Sequence, residues 1–422
     1  MREIILDLDR LAYGGAALGR SSDGRAVFVP FGLPGERVRV RPVEGKRGFI
    51  RAELLEVLAA SPQRIAPKCR HFETCGGCHY QHMPYEAQLS AKAEVLRDQL
   101  QRIGKIADPP VGSMVACPQP WNYRNHVQFH LTEDGRLGYV RAGVGANEKD
   151  PSGKDVLPVS ECHLPEAQLG ALWPQLSFEP GTTVERVSLR AGVDDLLLVL
   201  ESQQLEPPEM ELEAGISVVH LVGGDALVMA GEDHLHMQVL DQSFRVSAAS
   251  FFQVNTPMAG RMVEHLLGVL PLPVGTLLDV YCGVGLFSAF LAPRCERLIA
   301  IESSESACED YGANLDAFDH VELYQGTAGV VVPALAEQVG KSTHGQTTVL
   351  VDPPRAGLDR QSLDGIVNLR PGTIAYVSCD PATLARDAAR LVAGGYRLTQ
   401  VTPFDLFPQT YHIESISLFE LA

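Results

Sequence analysis

Cys69, Cys75 and Cys78 crowd into one run, PKCRHFETCGGC, and Cys162 stands alone far downstream in SECHLP. Three sulfur donors this close along the chain, with a distant fourth, suit one iron-sulfur cluster or one zinc ion. The competing explanation is four unrelated buried thiols, since free cysteine packs as a small hydrophobe. The gaps of five and then two residues differ from the tighter triplet that leaves one iron of a cluster open to substrate. A fourth thiolate implies a saturated site.

A second set of residues describes a cofactor pocket. LLDVYCGVGLFS runs an apolar strand into a glycine turn and then a helix, so backbone at Gly283 and Gly285 can approach a ligand closely. LIAIE ends in Glu302 about 20 residues on, where an acid can accept hydrogen bonds from a ribose diol. A nicotinamide cofactor and S-adenosylmethionine both fit this pair, as does a plain tight turn with a solvated glutamate. The segment VDPPR, with Asp352 at a strand end stiffened by two prolines, resembles the fourth-strand motif of methyltransferases that act on planar nitrogen or carbon. That resemblance selects S-adenosylmethionine.

A third set could react covalently. Cys379 ends the apolar strand TIAYVSC and is followed by Asp380, Pro381 and a helix, whose positive end favours a thiolate. Glu414, in FPQTYHIESISLF, lies near a strand entrance, where an isolated glutamate is ordinarily solvated.

The elements that must carry these groups divide the chain in three. Residues 1–60 read as short strands cut by glycine turns, a small antiparallel five-stranded barrel resembling an OB-type RNA-binding module, with Arg37, Arg39, Arg41, Lys46, Arg47 and Arg51 making one side positive. SPQR at 61–64 is the linker into a central α+β region, 61–245, that holds the four cysteines. Within it, Leu89, Ala93, Leu96, Leu100 and Ile103 fall at helical spacing and predict one amphipathic helix over 85–106, which could pack on the catalytic domain. HVQFHL, RVSLRA and DLLLVLES are strands of the same region. From 246 to 422 strands and helices alternate, which predicts an α/β, Rossmann-like domain with a parallel sheet covered on both faces.

Composition and length fit an ordinary soluble protein of two or three domains. The chain has 422 residues, 45% of them hydrophobic and 21% charged, and no apolar run long enough to span a membrane. Its N-terminus alternates charge with aliphatics where a signal peptide needs an apolar block, so a cytoplasmic location with reduced thiols is expected. The net charge of −17 speaks against a phosphate-rich partner, but residues 1–105 carry 17 Lys and Arg against 12 Asp and Glu, which leaves 18 against 40 for the rest. The N-terminal quarter is mildly basic; a solvated basic face without a partner would look the same.

Taken together, the motifs identify the chain as resembling the RNA 5-methyluridine methyltransferases, with the barrel similar to their TRAM domain. The resemblance runs nearly end to end: CRHFETCGGCHYQH, YEAQLSAK, NYRN at 122–125, SFFQVN at 250–255, DVYCGVG, DPPRAGL, SCDPATLARD and FDLFPQTYHIES. It implies a class I methyltransferase domain and transfer of a methyl group from S-adenosylmethionine to uridine C5. By resemblance, Cys379 adds as a thiolate to carbon 6 of the base, and Glu414 later removes the carbon 5 proton. Gln253, Tyr281, Gly283, Glu302 and Asp352 match cofactor-lining positions, and Cys69, Cys75, Cys78 and Cys162 match the ligands of a [4Fe-4S] cluster.

The implied partner is RNA, with 23S rRNA favoured and the T-loop uridine of tRNA second; a monomer without an obligate protein partner is expected. A noncatalytic RNA-binding or RNA-folding protein on the same scaffold is the alternative, opposed by the retention of Cys379 and Glu414 in full motif context. Phe251 and Phe252 would either face a flipped base or fill the core. Three positions depart from the family pattern. Leu286 stands where an Asn is frequent, Thr327 where an Asn or Asp often faces the adenine, and Asp380 replaces the Asn that commonly follows the nucleophile. A carboxylate at 380 would hinder thiolate formation unless it points away.

Overall fold

A computed structural model describes residues 3–143, 155–210, 215–339 and 347–422. The N-terminal strands β1 (Ile4–Leu11), β2 (Ala17–Arg20), β3 (Ala26–Val29), β4 (Arg37–Gly45) and β5 (Phe49–Ala59) close into a barrel in the order β1-β2-β3-β5-β4. Alternation drives it: Val38, Val40 and Pro42 point inward while Arg37 and Arg41 stay outside. Contrary to the expected all-antiparallel arrangement, β3 and β5 pair in parallel, from Ala26↔Phe49 to Phe28↔Arg51. Only that pairing lets the long β5, already antiparallel to β4, seal the last gap.

The basic side of the barrel is largely neutralised. Arg39 pairs with Glu56 at 2.9 Å, Arg41 with Glu53 at 2.5 Å, and Glu44 takes both Lys46 and Arg51 at 3.1 and 3.5 Å. The arginines of β4 face glutamates of β5 across the strand pair, so the outward field is weaker than the residue count implied.

After the cysteine run comes α1 (Tyr85–Arg102), packed against the catalytic domain through Val95, Leu96 and Leu100. It ends short of 106 because Lys105 turns left-handed (φ 56°) and the Ile106 N–H reaches back to the Leu100 carbonyl. The central region is a seven-stranded sheet of β6 (His126–Leu131), β7 (Leu137–Val140), β8 (Val156–Pro158), β9 (Val184–Ala191), β10 (Leu196–Ser202), β11 (Ser217–Val222) and β12 (Asp225–Ala230), with a short helix α2 (Ala167–Leu172). A hairpin, β13 (His234–Val239) and β14 (Gln242–Ser247), leads on to the helix α3 (Thr256–Val269).

The catalytic sheet contains β15 (Val274–Val280), β16 (Cys295–Glu302), β17 (Val321–Gln325), β18 (Thr347–Val351), β19 (Thr373–Ser378), β20 (Tyr396–Phe404) and β21 (Glu414–Leu421) in the order β17-β16-β15-β18-β19-β21-β20. The helices α4 (Leu286–Leu291), α5 (Glu305–Asn314), α6 (Ala328–Val339), α7 (Arg360–Leu369) and α8 (Pro381–Ala393) alternate with these strands. Five strands are parallel as expected, but β21 runs antiparallel to both β19 and β20. The strand β20 was not legible because a bulge between Leu398 and Gln400 and the proline at 403 break its alternation. Order reverses at β15 and β18, whose neighbouring C-terminal ends form the crevice where such sheets bind ligands. Among the described residues, no helix is long and apolar enough to cross a membrane.

Candidate active site

The glycine turn after β15 takes the expected form. Tyr281, Gly283 and Gly285 have φ of 66°, 54° and 93°. Gly285 needs its missing side chain, because a Cβ there would stand 2.5 Å from Leu315. A Cβ on Gly283 would meet nothing within 4 Å, so that residue faces open space. Its N–H donates to Glu302 Oε2 at 3.0 Å, and Glu302 Oε1 accepts the N–H groups of Ser303 and Ser304 at 2.6 and 2.8 Å. The acid at the end of β16 is thus fixed beside the turn, with geometry suited to a ribose.

Behind the turn lies a buried acid that sequence reasoning missed. Asp279 accepts Ser288 Oγ at 2.6 Å through one oxygen, while the other has no partner. Burial pushes its carboxyl up to about 7, and Asp352, raised by burial and by Asp279, also stands at about 7. Two destabilised carboxylates flanking an open crevice suit a cationic ligand such as a sulfonium. Leu286 is buried in the core and offers the crevice no polar contact, and Thr327 is exposed just before α6.

The loop carrying Gln253 is held by another unanticipated acid, Asp310. It accepts Ser247 N–H at 2.8 Å and Ser250 Oγ at 2.6 Å, and it pairs with Arg245. Gln253 is buried, its carbonyl accepting Asn125 Nδ2 at 3.0 Å. The two phenylalanines separate: Phe252 packs on Phe244 with ring centroids 5.7 Å apart, whereas Phe251 is 71% exposed.

Cys379, Glu414, Asp352 and Arg355 converge on one spot although 62 residues separate the first from the last. Burial, then Glu414 and Asp352, push the Cys379 thiol up to about 12, and Arg355 opposes them. Burial and Asp352 likewise raise the Glu414 carboxyl, again against Arg355. Arg355, the arginine of DPPRAGL and not among the expected site residues, is the cation of the group. Its loop interlocks with α8: Asp387 accepts the Leu358 N–H at 2.8 Å, and a Cβ on Gly357 (φ 73°) would stand 2.6 Å from that carboxylate.

Asp380 is held by partners other than the thiol, although its charge still adds, after burial, Glu414 and Asp352, to the rise of Cys379. Asp380 Oδ1 accepts the N–H groups of Ala382 and Thr383, both at 2.9 Å, which caps α8, and its Oδ2 accepts the hydroxyl of Tyr13 from the barrel at 2.8 Å. A cleft of about 2460 Å³ opens here, bounded by the barrel, the cysteine run, the central sheet and the loop of Tyr411 and His412.

Among the described residues, no group of three or more His, Cys, Asp or Glu stands where it could hold a metal ion. The expected cysteines nevertheless share one neighbourhood. Arg70, next to Cys69, pairs with Glu161, next to Cys162, at 2.9 Å; Cys69 and Cys162 oppose ionisation of Cys75, Cys75 and Cys162 that of Cys78, and Cys69 that of Cys162. Cys69 and Cys75 accept N–H groups from His71 and Gly77 at 3.4 Å.

Residues 228–421 match the profile of tRNA (uracil-5-)-methyltransferase, and residues 2–55 that of the TRAM domain. An uncharacterized RNA methyltransferase of Streptomyces coelicolor is 33% identical over 442 residues, covering 100% of this chain and 93% of that protein. The chain belongs to the RNA uracil-5-methyltransferase family. Another uncharacterized RNA methyltransferase, from Aquifex aeolicus, is 33% identical over 438 residues with 99% and 98% covered. The fold of this family member matches Pyrococcus abyssi tRNA (uracil-54, C5)-methyltransferase in complex with S-adenosyl-L-homocysteine, at TM-score 0.73 and 24% identity over 98% of this chain and 100% of that one. The barrel is therefore a TRAM domain, the sheet is a methyltransferase domain, and the protein is an RNA methyltransferase.

Proposed function

We propose that the protein methylates uridine at carbon 5 through a covalent adduct on Cys379. The observation that carries this reading is the convergence of Cys379, Glu414 and Arg355 beside the crevice of Glu302 and Asp352. When bound, S-adenosylmethionine supplies the electrophilic methyl group that carbon 5 takes up. Gln253, Tyr281, Gly283, Glu302 and Asp352 would hold it, Glu302 taking the ribose and Asp352 lying toward the cationic end.

Uracil C5 is a weak nucleophile until a thiolate adds at carbon 6. Cys379 performs that addition, and Arg355 supplies the positive charge that favours its ionised form. Glu414 then takes the carbon 5 proton, the electron pair re-forms the ring double bond, and the Cys379 sulfur leaves. A carboxylate kept from water is a stronger base than a solvated one, which suits Glu414 to that step.

We assign Cys69, Cys75, Cys78 and Cys162 to a [4Fe-4S] cluster with a structural task. Support comes from the shared neighbourhood of the four thiols and from the N–H donors on Cys69 and Cys75, since hydrogen bonds to the sulfurs accompany such clusters.

The favoured RNA is 23S rRNA, on the resemblance to bacterial cluster-bearing members. The matched profile and the archaeal neighbour are both named for tRNA, which supports the T-loop uridine as the second reading. Tritium transfer from labelled S-adenosylmethionine to total RNA of a deletion strain, followed by mapping of 5-methyluridine, tests both. Label retained with Cys379→Ala would overturn the mechanism, and the labelled RNA names the substrate.

A further inference from the structure

Four rings meet at the foot of the cleft, and the mechanism uses none of them. Tyr411 lies 5.7 Å from Tyr13 at 85°, 4.6 Å from His79 at 76° and 4.3 Å from His412 at 40°. They come from three parts of the chain: the β1–β2 loop of the barrel, the cysteine run and the loop before β21. All four line the cleft beside Arg355 and Asp380, and each is partly exposed.

Their positions are fixed by polar anchors. The Tyr13 hydroxyl is spent on Asp380, and the His79 and Tyr80 N–H groups both donate to the Gln409 carbonyl, at 2.8 and 3.0 Å. Next to Tyr13, Gly14 (φ 97°) leaves open space where a side chain would stand. In an edge-to-face pair at most one face of one ring is covered, and in the tilted Tyr411–His412 pair only the two facing sides are, so a third planar group can still stack on a remaining face. Proteins that read unpaired RNA supply such faces, each worth about 1–3 kcal/mol per base. The ion-paired arginines of β4 make the barrel a weak phosphate grip, which leaves stacking as its stronger contribution.

We propose that Tyr13, His79, Tyr411 and His412 form a stacking site for an unpaired RNA base adjacent to the one presented to Cys379. The barrel and the catalytic domain then hold the same single-stranded segment, and a base stripped of its neighbour regains a stacking partner as the target uridine leaves its stack. The choice of target rests on the reading of Cys379 given above.

A mixed-sequence single-stranded oligoribonucleotide carrying 2-aminopurine serves as the probe, without methyl donor. Its fluorescence is expected to be quenched equally by the wild type, Tyr13→Phe and Cys379→Ala. Tyr13→Leu should bind about tenfold more weakly with little quenching, while its affinity for S-adenosylhomocysteine stays unchanged as a check on folding. His79→Leu, which keeps its backbone anchor, carries the same expectation if Tyr13→Leu does not fold. Full quenching by the leucine variants would overturn the proposal. So would a phenylalanine variant as weak as leucine, because the hydrogen bond to Asp380 would then be the whole role of Tyr13. Because no methyl transfer is read, failure of the Cys379 mechanism would leave this result distinguishable.

Discussion

Lys92 Nζ lies 2.6 Å from Asp405 Oδ1, and both side chains are fully enclosed. The pair joins α1 to the loop that delivers His412 and Glu414, and Lys92 also donates to the Phe407 carbonyl at 3.0 Å. One turn earlier, Gln88 Nε2 donates to Gln409 Oε1 at 3.0 Å, and its own Oε1 accepts the Gln409 N–H at 3.0 Å. The motifs YEAQLSAK and FDLFPQTYHIES, more than 300 residues apart, thus fit together as two halves of one clamp. Removing one partner strands a buried charge: Lys92→Met should lower stability by about 3–5 kcal/mol in denaturant titration, and a double variant with Asp405→Leu should recover much of it.

Glu414→Gln should stop turnover after the thiol has added. If Glu414 takes the carbon 5 proton, the variant should accumulate RNA joined to Cys379, visible as a band that survives denaturing electrophoresis. The band should vanish in the double variant with Cys379→Ala. No adduct with Glu414→Gln, together with unimpaired turnover, would remove Glu414 from the mechanism.

The reactive thiol, pushed up to about 12, is protonated at neutral pH, so single-turnover rates should rise as pH increases. Arg355 opposes that shift. Arg355→Gln should therefore move the pH–rate profile toward alkaline pH by roughly one unit, with Lys partly restoring it. An unmoved profile would show that Arg355 does not tune the nucleophile.

Asp279 and Asp352 stand at about 7 when folded, above the 3.8 of an aspartate free in water. The folded chain therefore holds protons that the unfolded chain has lost, and this contribution is present below about 3.8 and fades as pH rises through about 7. Asp352→Asn should gain melting temperature relative to wild type as pH is raised across that window. A constant difference across the window would contradict it.

Anaerobically purified protein should be brown and carry roughly four irons per chain. Cys162→Ser should lose iron while retaining S-adenosylhomocysteine affinity in calorimetry, since the four thiols lie outside the methyltransferase sheet. Colourless protein with one zinc would overturn the assignment.

Much of this arrangement is written in local pattern. The strands β15, β16, β18 and β19 each centre on a short apolar run, and a run bounded by Gly-Val-Gly or Asp-Pro-Pro ends where backbone geometry changes, so turn, acid and thiol were all assignable to strand ends. The separation of Cys379 from its surroundings was less legible. Asp380 does raise the nucleophile, as its place beside Cys379 suggests, but less than Glu414 and Asp352 do, and in the fold it also caps α8 and receives Tyr13.

Sequence by itself determined the types of the reactive groups, the strands that carry them and the family, because side-chain chemistry and hydrophobic periodicity are local properties. Tertiary structure alone decided which charges meet. Asp279 with Asp352, Arg355 with Cys379 and Glu414, and the β4 arginines with the β5 glutamates are pairings across sequence gaps. Burial and proximity, the two quantities that set a pKa or cancel a basic surface, exist only once the sheet and barrel have closed.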